Sequence, residues 1–64
     1  MVQTLWTLAG FADVMRCELA GCAVSLWMGN ERILAETWPD AEQAQARARE
    51  LRERLLSRGW LRQD

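Results

Sequence analysis

The sequence predicts a small α+β domain of βββα order. A three-stranded antiparallel meander over residues 13–19, 22–28 and 31–38 packs against one C-terminal helix over 40–58. Three observations predict it. Apolar and polar residues alternate on both sides of two short turn signals, Ala20-Gly21 and Gly29-Asn30. Pairing outward from either turn sends the same side chains of the middle strand to one face. Past Pro39 the apolar period lengthens from two residues to between three and four, the change expected where strand gives way to helix. With 64 residues there is room for a single domain, 1–64, and for only a modest core.

The first twelve residues, MVQTLWTLAGFA, are read as an extra strand or a short helix. Val2, Leu5, Trp6 and Ala9 have helical spacing, whereas Leu-Trp-Thr-Leu suits a strand. So apolar a segment is expected to pack, either over the outer face of the sheet or against another copy by exchange, with Trp6 as a contact residue.

The second hairpin is the firmer of the two. Gly29-Asn30 suits a two-residue turn, because glycine accepts the positive φ such turns need and asparagine tolerates it. Pairing then joins Met28 to Glu31, Trp27 to Arg32, Leu26 to Ile33, Ser25 to Leu34 and Val24 to Ala35. Cross-strand partners share a face. Val24, Leu26, Met28, Ile33 and Ala35 are thereby expected on the core face, and Ser25, Trp27, Arg32, Leu34 and Glu36 on the outer one. Closing the first hairpin at Ala20-Gly21 pairs Leu19 with Cys22, Cys17 with Val24 and Met15 with Leu26. All six fall on the core face, and Val14 and Arg16 fall on the outer face beside Trp27 and Ser25.

In the helix, Ala41, Ala44, Ala48, Leu51 and Leu55 form one narrow apolar stripe. Asp40 is the expected N-cap with Gln43 three residues on, and Thr37 competes for the role. Acids early and arginines late suit the helix dipole. Gly59 stands where a left-handed residue ends a helix, and Trp60 can fold back onto Leu55. A helix over 40–58 would be about 28 Å long and a seven-residue strand about 23 Å, so the helix can cross the whole core face. Trp38 is expected to close the edge of that core.

Composition narrows the function. All eight cations are arginines, against nine acids, for a net charge of −1. A strong phosphate binder usually shows a basic excess, so nucleic acid is disfavoured as a partner. The arginine- and alanine-rich composition is expected of a GC-rich bacterial genome. No apolar stretch approaches the roughly 20 residues that span a bilayer, so no membrane partner is expected. No cationic segment precedes an apolar run at the N-terminus, which predicts a cytoplasmic protein without a signal peptide.

No enzyme is expected. Histidine is absent, Ser25 and Ser57 have no evident base, and a nucleophile needs one or a lowered pKa. Cys17 and Cys22 are too few for a zinc site; they are expected to face the core as inert reduced thiols. No phosphate loop or cofactor fingerprint is present, so no metal or cofactor is expected.

The element order of residues 13–58 resembles that of the N-terminal DNA-binding domains of phage-type integrases and of plant AP2 domains. A helix at residues 1–9 would make it similar to double-stranded-RNA-binding domains, but the lysine-rich helix start of that family is replaced here by the acidic PDAEQAQ. The resemblance is one of element order, and no residue role follows from it.

The outer face is where work is expected. Val14, Trp27 and Leu34 would form an apolar centre, ringed by Arg16, Arg32, Glu18 and Glu36. Such a centre with a mixed-charge rim is the anatomy of a protein interface, and Trp and Arg are enriched among binding hot spots. The sequence therefore predicts a non-catalytic interaction module. It would be a homodimer joined through Val14, Arg16, Trp27, Arg32, Leu34 and Trp6. The alternative is a nucleic-acid site built from the same sheet face and its arginines. The helix arginines are read as an ion-paired, solvated surface.

Overall fold

A computed structural model of the protein describes residues 1–63. Strands β1 (Val2–Ala9), β2 (Val14–Ala20), β3 (Ala23–Met28) and β4 (Glu31–Thr37) are followed by helix α1 (Ala41–Ser57) and a two-residue strand β5 (Leu61–Arg62). All strand pairs are antiparallel, in the order β4-β3-β2-β1-β5. The expected α+β architecture is present, with two further strands, β1 and β5, added side by side next to β2 by the two ends of the chain, so that β4 remains an edge strand. The helix lies over β2 and β3 on one face of the sheet. Trp6, Leu8, Met15, Cys17, Leu19, Val24 and Leu26 meet Ala44, Ala48 and Leu51 there.

Residues 2–9 are a strand, so the helix that would have matched double-stranded-RNA-binding order is not formed. As a strand of the same sheet, β1 does not cover the outer face. Its helical-looking spacing has a local cause. The pairing with β2 slips between Thr4 and Trp6, and the extra residue of this bulge breaks strict alternation. Leu5 and Trp6 both turn toward the helix side: Leu5 packs on the core, and Trp6 is 7% exposed.

Both turns keep their glycines, but one shifts. Gly21 and Gly29 each have φ +62°, and among the described residues no non-glycine has positive φ. A glycine with positive φ at the first central position is the pattern of a type II′ turn. The first turn is therefore Gly21-Cys22 rather than Ala20-Gly21. Leu19 pairs with Val24, Cys17 with Leu26 and Met15 with Met28, each partner two residues further along than expected. A two-residue shift preserves the facing, so the core assignments of β2 and β3 hold. Cys22, by contrast, moves out of the sheet into the turn, where it is half-buried.

The facing of β4 is where the sequence reading fails. Met28 opposes Glu31 and Trp27 opposes Arg32 as expected, but a bulge follows, and Leu26 opposes Leu34 and Val24 opposes Glu36. Ile33, expected in the core, is 46% exposed, and Ala35 is exposed. Leu34 packs against the core, and Glu36 turns under the sheet to meet α1. The inward turn of Glu36 is stabilised by Arg47, whose Nε and Nη2 donate to its two carboxylate oxygens at 2.9 and 3.2 Å. Trp38 Nε1 also donates to Glu36, at 3.2 Å.

The helix ends are as the sequence predicts. Asp40 accepts from Gln43 N at 2.8 Å, and the Gln43 side chain returns to Asp40 at 3.1 Å. At the other end Gly59 has φ +102°. Gly59 N donates to Leu56 O at 3.2 Å and Trp60 N to Leu55 O at 3.1 Å, the two hydrogen bonds of a Schellman ending. This turn lays the Trp60 ring on Gly10, where a Cβ would stand 2.5 Å from the ring. Trp38 and Trp60 both pack on the rim of the core.

Candidate interaction surface

The helix shields only one face of the sheet. The register places Val2, Thr4, Thr7 and Ala9 of β1 on the opposite face. It places Val14, Arg16 and Glu18 of β2, Ser25 and Trp27 of β3 and Leu61 of β5 on that face too. The β4 bulge puts two successive residues, Arg32 and Ile33, outward beside Trp27. No described element covers this surface.

At its centre Arg16 and Arg32 reach toward Trp27 from β2 and β4. Their guanidinium carbons lie 5.4 and 5.9 Å from the indole centroid, within cation–π range. Arg16 Nε also lies 3.1 Å from Glu18 Oε2, an ion pair without hydrogen-bond alignment. The Trp27 ring is half-buried, and its Nε1 is buried with no acceptor among the described residues. Buried donors are seldom left unpaired. Toward the end of the sheet that carries the 10–13 loop, Leu61, Ala9 and Val14 stand side by side on β5, β1 and β2. Leu61 is 67% exposed and Val14 40%. Phe11 projects fully into solvent from the loop.

Four of the six residues expected at the interface, Val14, Arg16, Trp27 and Arg32, thus share one face. Leu34 does not, because the β4 bulge turns it inward. Trp6 does not either: it belongs to the core, where its Nε1 donates to Ala48 O at 3.1 Å. Ile33 and Leu61 are members of the face that the sequence reading did not include. Ile33 was misassigned by the unforeseen bulge. Leu61 was hidden because its strand is two residues long and is defined only by its partner.

Elsewhere the chemistry is subdued. Cys17 is fully buried, and burial with the neighbouring Glu18 charge pushes its thiol up to about 11, which keeps it protonated and unreactive at neutral pH. Cys17 and Cys22 are both free thiols. Hydrogen bonding from Arg47 holds the Glu36 carboxyl below its ordinary value, against an opposing effect of burial and with help from Trp38. No described helix is long and apolar enough to cross a membrane.

Comparison with protein families, with curated proteins and with solved structures finds no match to this chain.

Proposed function

We propose that the protein is a non-catalytic interaction module that self-associates through the outer face of its sheet. The observation that carries this reading is the uncovered surface itself. Val14, Trp27, Ile33 and Leu61 lie on one side of a sheet whose other side is packed, with arginines and acids interleaved among them. Contiguous exposed apolar surface marks interaction sites in soluble domains. Charge supports a second copy as the partner: Arg16 and Arg32 share the face with Glu18, so a two-fold arrangement can set an arginine of each copy against Glu18 of the other. A two-fold contact uses the same patch twice, and this patch carries both signs.

The nucleic-acid alternative is weaker on the same geometry. A base would have to stack on Trp27, but the ring is already engaged by two guanidiniums of its own chain. Glu18 on the same face would repel phosphate. Sedimentation equilibrium of the protein and of Trp27→Ala tests the proposal. The expected result is a concentration-dependent dimer, weakened in the variant by about 2 kcal/mol, with little change between low and moderate salt. A monomer at millimolar concentration would overturn the proposal. So would steeply salt-dependent binding of an oligonucleotide that Trp27→Ala abolishes.

A further inference from the structure

On the helix side of the sheet, α1 covers β2 and β3 but leaves the flank under β4 partly open. A groove of about 250 Å³ runs there between β4 and the helix, lined by Leu26, Leu34, Leu51 and Leu55 with Arg47, Arg54 and Arg58. The leucines make an apolar floor, of which Leu34 and Leu55 are only half-buried. One end is closed by the Glu36–Arg47 pair. Charge is unbalanced along the rim. Arg47 is shared between Glu36 and Glu50, and Arg54 reaches the same Glu50 at 3.3 Å. Arg58 has no ion pair among the described residues. Three guanidiniums therefore meet two carboxylates, leaving an excess of one positive charge at the open end, in a chain whose net charge is −1.

The groove borders a strand edge. β4 is the last strand of the sheet on its side, so the backbone groups it directs away from β3 have no strand partner among the described residues. The charged pair Glu31-Arg32 and the bulge at Ile33 protect the first half of that edge against casual pairing. Leu34 to Thr37 continue in regular register with β3. A free edge beside an apolar groove is the arrangement used for recognition by strand addition, where backbone hydrogen bonds give affinity and alternate side chains give specificity.

We propose that this flank binds an extended peptide as a sixth strand along Leu34–Thr37. The peptide places an apolar side chain over Leu34, Leu51 and Leu55 and, two residues further on where it runs past the paired stretch and leaves the edge at the Ile33 bulge, an acidic side chain against Arg54 and Arg58. The two-residue spacing follows from strand alternation, which returns every second side chain to the groove. The acid belongs toward the Arg58 end, where the positive excess lies. This site is on the face opposite Trp27 and does not depend on the self-association proposed above.

Amide-resolved NMR titration with acetyl-Thr-Glu-Thr-Leu-Thr-Glu-Thr-amide tests it. The peptide carries an acid on both sides of its leucine, so either strand direction offers one to Arg58. The expected result is the largest amide shifts at Leu34–Thr37 and in the last two turns of α1. Binding should weaken about tenfold or more in the double variant Arg54→Glu, Arg58→Glu, and be lost when lysine replaces both glutamates of the peptide. Arg58→Ala, which truncates one exposed side chain, should weaken binding in the same direction and serves if the double variant unfolds. Shifts centred on Trp27, equal binding of the lysine peptide, or no binding at millimolar peptide would overturn the proposal. Binding of decanoate but not of the peptide would overturn it too, since the groove would then take a simple amphiphile.

Discussion

Trp6 is the residue for which the two readings of the N-terminal segment differ most. In an exchanging arm it would contact a second copy; in the structure it belongs to its own chain's core. Its ring is 7% exposed, and its Nε1–H donates to the Ala48 carbonyl 42 residues away. Trp6→Phe keeps an aromatic ring but removes that donor and part of the ring. The lost hydrogen bond is worth about 1 kcal/mol, and the lost apolar area adds up to about 1 kcal/mol. With a urea dependence of about 1 kcal/mol/M for so small a domain, the unfolding midpoint should fall by about 1–2 M. Trp6→Ala removes the whole ring and should cost about 3–5 kcal/mol. That is most of the stability expected of a 64-residue chain at roughly 0.05–0.15 kcal/mol per residue. Urea unfolding followed by circular dichroism gives these numbers, and the midpoint of Trp6→Phe should not depend on protein concentration more than that of the parent. An unchanged midpoint combined with loss of self-association would refute the placement of Trp6 in the core.

Three further outcomes are expected. Arg47→Ala leaves Glu36 partly buried without its main partner and should cost about 1–3 kcal/mol at neutral pH. The folded-state pKa of Glu36 is depressed, so the stability this pair contributes is present above the unfolded carboxylate value near 4.5 and is lost as pH falls through the lower folded value; urea unfolding at pH 7 and at pH 3 should show the gap between parent and variant narrowing in acid. A thiol reagent at pH 8 should modify Cys22 in the folded protein and reach buried Cys17 only on unfolding, so reaction of both thiols at one fast rate would contradict the burial of Cys17. Gly10→Ala should displace the Trp60 ring from a position that leaves 2.5 Å for the new methyl, costing about 1–3 kcal/mol and lowering the melting temperature by at least about 4 °C.

The helix was almost wholly legible because its signals are local. Asp40, Gln43 and Gly59 act within one turn of themselves, and the alanine–leucine stripe needs no knowledge of the sheet. The facing of β2 and β3 was legible through redundancy, since a register error of two residues leaves alternation intact. The two bulges were not legible. In ERILAET either Ile33 with Ala35 or Leu34 with Glu36 can turn inward, and apolarity alone favours the first set. The inward turn of Glu36 is supported by Arg47, a residue 11 positions away on the helix, so the deciding contact is tertiary. A glutamate and an arginine placed to meet across strand and helix were the available signal. In β1 the extra residue at Leu5 sets apolar side chains at 5, 6 and 8, which imitates a helical period. The candidate face survived these errors because Val14, Arg16, Trp27 and Arg32 all precede the β4 bulge or lie outside it. Its edges, Ile33 and Leu61, depended on tertiary pairing and were missed.

The most direct test of self-association through the outer face is an isotope-filtered NMR experiment on a mixture of labelled and unlabelled protein, which detects only contacts between copies. Intermolecular contacts should connect the side chains of Val14, Trp27, Ile33 and Leu61 and should disappear in Trp27→Ala while the amide spectrum of α1 stays unchanged. Intermolecular contacts confined to the helix or to the edge of β4, or none at millimolar concentration, would contradict the account.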